Sequence, residues 1–323
     1  MRKPPKIGGA AGRTSAAMSK TIYICIGLVF IAASFSLFGT EILAQDAAND
    51  WPAAEARLRT LLAGNTEEKR TALYEIRNFK NEQASRLAIP ALSDVDEIVR
   101  ATAASSVIFL PEAEARNVLL PLLDDKKPFV RREAAFALGE VGNWGATDRL
   151  RRSLNKDRDP EVRTAAAIAI GKIGDHSAID DLLNILDKRP KEEDELRRRS
   201  AARAIGQIFE LWLSGSTKTL TPQNFLPSEN KDFGTSKRKD APVEKEVIDR
   251  ALAALSKVLR NSNESDDTRR EAAFALGAMR RTESAAVLLS HLASPDPYLA
   301  EICKEALMKI TGEKNPGPSK IRD

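Results

Sequence analysis

Histidine, cysteine and a recurrent arginine are the side chains of this 323-residue chain with the most chemistry to offer. Histidine at neutral pH can ligate a metal or act as a general base. The two present are His176, followed by Ser177, and His291, followed by Leu292, and neither spacing completes a ligand set. Of the two cysteines, Cys25 lies in an apolar amino-terminal run and Cys303 falls on a column otherwise filled by alanine. A thiol buried without a base stays protonated, so Cys303 reads as a small hydrophobe rather than a nucleophile. Gly139, Gly171, Gly206 and Gly277 recur at one register inside apolar helical patterns, which suits close helix packing better than a phosphate cradle. No catalytic, cofactor-binding or metal-ligating residue is assigned on these grounds, no cofactor is called for, and the chain is expected not to be an enzyme.

The arginine is the more regular signal. It stands at Arg70, Arg100, Arg131, Arg163, Arg198 and Arg269, in steps of 30, 31, 32, 35 and 71 residues. A period of that size marks a solenoid of helix pairs, each of which needs its neighbours to bury an apolar face. The period therefore predicts an all-α, right-handed α-solenoid of about seven helix pairs.

The elements that hold the arginines follow from the columns around them. Four residues earlier stand Thr66, Asp96, Lys127, Asp159, Asp194 and Ser265, with Asp296 in the last repeat. Six of these seven can cap a helix start, and Pro128, Pro160 and Pro297 follow where a missing N–H costs nothing. Positions three, seven and ten after the arginine are apolar except for Arg77 and Lys80 in the first repeat, and they define a buried stripe at helical period. Gly142 and Gly174 sit where a left-handed residue would end the helix, whereas Phe209 takes that place in the fifth repeat and lets the helix run on through Leu211-Trp212-Leu213.

Residues 1–44 have the layout of a signal peptide or membrane anchor, with Lys20 before an apolar run from Thr21 to Phe38 and a small-residue site at Ala44. Met18 offers an alternative start. The solenoid is expected over 45–312, with a loop rich in Ser, Pro, Gly and Lys inserted at 214–242 and a tail at 313–323. The formal charge of +4 resides entirely in residues 1–44, leaving 45 basic and 45 acidic side chains in the remainder. A balanced array has no general field for nucleic acid, so none is expected as a partner. Export is the expected destination, with attachment through residues 21–38 as the alternative.

The segments Val130-Arg-Arg-Glu-Ala-Ala-Phe-Ala-Leu-Gly-Glu-Val-Gly142 and Asp159-Pro-Glu-Val-Arg-Thr-Ala-Ala-Ala-Ile-Ala-Ile-Gly-Lys-Ile-Gly174 resemble HEAT repeats of the phycobilisome-lyase type. The resemblance covers about residues 51 to 312. It implies the solenoid fold, and it spans chromophore lyases, scaffolds and enzyme regulators alike. Deoxyhypusine hydroxylase looks like the same solenoid and holds a di-iron centre on repeated His-Glu pairs. Those pairs are absent here, so no metal residue carries over. In the family the recurrent arginine looks structural, paired with the acidic cap of its own or the next repeat, as Arg131 with Asp159 or Arg163 with Asp194. The other reading is a ladder of cations offered to a ligand.

Five residues after the arginine, on the side opposite the buried stripe, stand Glu75, Ser105, Phe136, Ile168, Arg203, Phe274 and Glu305. Phe136 and Ile168 occupy adjacent repeats among charged neighbours. In HEAT arrays this side is concave, so Arg132, Phe136, Ile168, Lys172, Arg199, Arg203 and Phe274 form a candidate surface for a protein or peptide partner. The alternative is that these side chains pack on the neighbouring helix or beneath the inserted loop. The chain is thus read as a non-enzymatic scaffold, with a lyase or metal-dependent oxidoreductase as the alternative.

Overall fold

In a computed structural model, residues 51–214 and 243–312 are described. The expected leader, residues 215–242 of the inserted loop and the tail at 313–323 lie outside the described residues. The chain divides into two compact units, Met1–Leu58 and Arg59–Asp323. Of the first, the described part is residues 51–58, the opening turns of a helix.

Fourteen α-helices follow one another among the described residues, without strands. They are α1 (Trp51–Leu62), α2 (Thr66–Phe79), α3 (Glu82–Ala88), α4 (Glu97–Ser106), α5 (Glu112–Leu119), α6 (Pro128–Val141), α7 (Thr147–Lys156), α8 (Pro160–Ile173), α9 (Ile179–Leu186), α10 (Glu195–Ser214), α11 (Lys245–Arg260), α12 (Asp266–Met279), α13 (Ala285–Leu289) and α14 (Pro297–Thr311). In chain order they make the seven pairs that the arginine period predicts, an all-α solenoid.

The helix ends are written locally. Asp96, Asp159, Ser265 and Asp296 cap α4, α8, α12 and α14 through their side chains, satisfying N–H groups that the first turn cannot pair. At α2 the cap is Asn65 rather than Thr66: Asn65 and Glu68 form a reciprocal capping box. Thr66 is released to donate its hydroxyl to Asp96 of the next repeat at 3.2 Å. Gly142 and Gly174 end α6 and α8 in the left-handed region, both at φ 75°. Lys80 and Arg280 take the same conformation at φ 52° and 50° without glycine's freedom. Helix α10 carries Phe209 at the register of Gly142 and Gly174. It runs on through Phe209 to Ser214, one residue into the stretch read as inserted loop.

Within the second unit the second helices of successive pairs, α2, α4, α6, α8, α10, α12 and α14, pack on one another along the whole row. First helices α5, α7, α9, α11 and α13 lie mainly against their own pair partner, whereas α3 leans more on the preceding α2. The closeness of the row has a cause in sequence. A Cβ on Gly139 would stand 2.8 Å from Ala169 Cα, and one on Gly277 would stand 2.6 Å from Ala306 Cα. Glycine on one helix thus meets alanine two positions lower in register on the next, bringing backbones together. The core behind is aliphatic, with Leu138, Leu150, Ile170, Leu182, Ile205 and Leu276 fully buried.

Gly139→Ala tests this contact. Overpacking costs about 1 to 3 kcal/mol, against about 1 kcal/mol gained in helix propensity. The substitution is expected to lower the urea midpoint despite making a better helix former, and a raised midpoint would show that α6 and α8 are not held this close.

Candidate functional site

The ladder arginines start at the first turn of each second helix, where the cap fixes their direction. Arg100 holds Asp125 through Nε and Nη2 at 2.8 and 3.0 Å, and Arg131 holds Asp157 in the same way at 2.7 and 2.7 Å. Each also donates to a carbonyl of its own turn, Arg100 to Asp94 at 2.8 Å and Arg131 to Asp125 at 3.0 Å. Lys69 reaches Asp94 at 2.7 Å, and Arg270 takes Asp296 at 2.8 and 3.0 Å. The acid therefore comes from the next repeat, but in the interior repeats it stands two residues before the cap position. Asp94, Asp125 and Asp157 are chosen because each also accepts the N–H of residue 96, 127 or 159 at 2.8 to 2.9 Å, which fixes the turn. The expected Arg131–Asp159 and Arg163–Asp194 pairs do not form: Arg163 donates to the Asp157 carbonyl, and Asp194 is taken by Arg197.

Arg198 is the most enclosed member. It and Glu264 each keep only 2% of side-chain exposure, and the guanidinium also donates to the carbonyls of Ile185, Leu186 and Lys188. The pair spans 66 residues of sequence and closes the repeat across the insertion.

The candidate partner surface forms two groups on the second-helix row. On α6 and α8, Phe136 and Ile168 are both half-buried. They lie between two inter-helix ion pairs, Arg132 with Glu161 and Lys172 with Glu140. On α10 and α12, Arg199 meets Asp267 at 2.8 Å and Arg203 meets Glu271 at 2.9 Å. Burial pushes the Glu271 carboxyl above its ordinary value, opposed by the charges of Arg203 and Arg199. Phe274 packs over Gly206, whose added Cβ would stand 2.6 Å from its ring. Lys309 lies 5.2 Å above the ring and bonds to Glu210 on α10, two repeats back. Four of the seven candidates are thus cations already paired, and Phe274 serves helix packing. Phe136 and Ile168 are what remains as an apolar contact.

Four of the seven exposed large apolar side chains among the described residues lie elsewhere, two residues before the ladder position. Ile98, Phe129, Leu196 and Tyr298 open α4, α6, α10 and α14 with 40%, 37%, 56% and 66% exposure. Arg132 sits 5.0 Å over the Phe129 ring and Arg270 sits 5.2 Å over Tyr298. The outward column chosen from sequence missed this row, although Ile, Phe, Leu and Tyr in a first turn where acids are favoured was the available signal.

Cys303 is fully buried, and burial pushes its thiol up to about 12. His176 lies edge-on to Trp144 with ring centroids 5.9 Å apart. His291 Nδ1 is 2.8 Å from the Val287 carbonyl oxygen. Among the described residues no group of three or more His, Cys, Asp and Glu side chains could hold a metal ion. No described helix is long and apolar enough to cross a membrane.

Comparison with known proteins places these repeats. Residues 54–135 and 117–206 match the HEAT repeats, and residues 268–294 match the PBS lyase HEAT-like repeat. The chain is 27% identical over 267 residues to deoxyhypusine hydroxylase-B of Oryza sativa subsp. japonica, covering 77% of this chain and 88% of that one. Among solved structures it is similar to an engineered protein at 18% identity and TM-score 0.49, covering 79% of this chain and 67% of the other. The complex of CpcE and CpcF of phycocyanin lyase from Nostoc sp. PCC7120 matches at 20% identity and TM-score 0.44, covering 79% and 86%. The expectation of a chain that is not an enzyme is corrected here, because a relative matched over most of both chains is named for a hydroxylase activity.

The ladder gives a pH dependence. Burial pushes Asp125 and Asp157 up, but hydrogen bonds from Arg100 and Arg131, the N–H groups of Lys127 and Asp159 and the adjacent guanidinium charges outweigh it, so both carboxyls sit below the usual range. A carboxyl lowered by folding contributes stability above its unfolded pKa, about 4, and that contribution is lost as pH falls through the folded value. The urea midpoint is expected to hold near neutrality and fall below about pH 4, with Asp157→Asn reducing the drop. An unchanged acid limb in that variant would contradict the assignment.

Proposed function

We propose that this chain, a HEAT-repeat protein with repeats of the PBS lyase type, recognises a protein partner along its second-helix row, at the α6–α8 surface. The observation that carries the reading is the apolar pair Phe136 and Ile168 framed by Arg132–Glu161 and Glu140–Lys172. The ion pairs fix the spacing of the two helices before any partner arrives, so little ordering is left to oppose binding. Phe129 extends the same surface one turn toward the helix start. An apolar centre within a charged rim is the composition of a recognition patch.

A second reading, catalysis of the lyase or metal-dependent oxidoreductase kind, is favoured by the hydroxylase relative. The residues present do not fit the metal of the resembled di-iron family: His176 and His291 stand in separate repeats, neither precedes a glutamate, and no described acid cluster joins them. No step through a metal is derived for this chain.

Affinity capture with the full chain, run beside Phe136→Ala/Ile168→Ala, tests the first reading. A partner retained by the parent is expected to be lost, at least tenfold, from a variant that keeps its helical spectrum. Equal retention would contradict it. Stoichiometric iron in the purified chain would instead carry the second reading.

A further inference from the structure

At one rung of the ladder a hydroxyl stands where the acid of the next repeat would be. Asp94, Asp125 and Asp157 each accept from the residue two ahead and hold a cation of the preceding repeat. The corresponding residue in the last repeat is Ser294. Its Oγ still accepts the Asp296 N–H, at 3.2 Å, so the turn is kept. A hydroxyl cannot supply the two anionic oxygens a guanidinium fork takes, and the ladder arginine of the preceding repeat, Arg269, is left short. Its Nε donates to the Leu259 carbonyl at 3.2 Å, and Nη1 meets Asp266 at 3.3 Å, an acid in its own first turn with 62% of its side chain exposed. No described bond engages Nη2. Asp296 cannot serve, since both its oxygens are held by Arg270.

An open cleft of about 510 Å³ lies at this rung, bounded by Arg269, Arg270, Ser294, Pro295, Pro297 and Tyr298, with the carboxylates Asp266 and Asp296, already engaged by Arg269 and Arg270, also in its lining. The contrast along the same edge is informative. A smaller cleft of about 280 Å³ lies beside Arg198, where Glu264 fills the slot from within the chain. Arg163 also lacks an acid across the repeat, but its unpaired Nε is buried and offers no open edge. At Arg269 a guanidinium short of its acid coincides with an opening. The flat apolar floor of Pro295, Pro297 and the exposed Tyr298 ring can seat a short stretch of polypeptide next to the charge.

We propose that the Arg269 cleft binds an acidic side chain of a partner polypeptide, whose carboxylate takes the place that an aspartate of the next repeat fills elsewhere in the ladder. The site is independent of the α6–α8 surface. Binding would draw Arg269 away from the exposed Asp266 and leave the Arg270–Asp296 pair intact. The partner is thus a peptide segment with an aspartate or glutamate beside an apolar residue.

The test uses the full chain, ¹⁵N-labelled, and acetyl-Ala-Asp-Leu-Ala-amide as probe, with the asparagine analogue as control. The aspartate peptide is expected to shift the Arg269 side-chain N–H and Tyr298 resonances, and the asparagine peptide to bind at least tenfold more weakly. Ser294→Asp supplies the missing carboxylate from within. It is expected to raise the melting midpoint by about 2 to 4 °C and to abolish the shifts while the fold is kept. Equal binding of both peptides, or shifts that survive in a Ser294→Asp chain of raised midpoint, would overturn the proposal. So would a response confined to acetyl-Ala-Leu-Ala with a free terminal carboxylate, which would reassign the cleft to chain ends. A Ser294→Asp chain with a lowered midpoint would also overturn it, since no vacant acid slot would then exist.

Discussion

Every second helix from α2 to α12 except α8 is tied to the next repeat by a cation that must leave water to reach its acid. A half-buried guanidinium is costly without a partner and stabilising with one held at two points. Arg100 and Arg131 satisfy that demand by joining three chain segments at once: their own turn through a carbonyl, the next turn through a carboxylate, and the next helix start through that carboxylate's second bond to an N–H. The turn of one repeat is therefore completed only when the repeat before it is in place. In a solenoid whose stability is set by intrinsic terms and nearest-neighbour terms, this is a nearest-neighbour term with fixed direction.

The glycine–alanine contacts are the second half of the same constraint. Gly139 on Ala169, Gly171 on Ala204 and Gly277 on Ala306 let the second helices approach more closely than larger side chains allow. That approach brings residues two repeats apart together, so Lys309 of α14 spans α12 to reach Glu210 of α10. The outer face of the row is consequently occupied by its own ion pairs over much of its length. The two proposed binding places are ones that this pairing leaves uncovered: the half-buried Phe136 and Ile168 between their ion pairs, and the rung at Arg269.

What was legible in the sequence was what is decided locally. The period, the caps at Asp96, Asp159, Ser265 and Asp296, the stops at Gly142 and Gly174 and the run-on past Phe209 each depend on a few adjacent residues and elementary backbone sterics. The structural role of the arginine was also readable, because its period matches that of the buried stripe. Its acid was misplaced by two residues, since the cap position and the position before it are both rich in aspartate and only three-dimensional reach separates them. Phe274 reads as a surface anchor on a helical wheel, which shows which way a side chain points and not that Gly206 and Lys309 of the neighbouring helices meet its ring. Tyr298 and Phe129 escaped notice for the complementary reason: their exposure depends on the open edge at the helix starts.

The account rests on the inter-repeat pair acting as a coupling term rather than as a surface ornament. A double-mutant cycle on Arg131→Met and Asp157→Asn, read by urea unfolding at neutral pH and low salt, measures that term directly. The account predicts a coupling of about 1 to 3 kcal/mol, with each single variant nearly as destabilised as the double. A coupling below about 0.3 kcal/mol, with additive single effects, would contradict it.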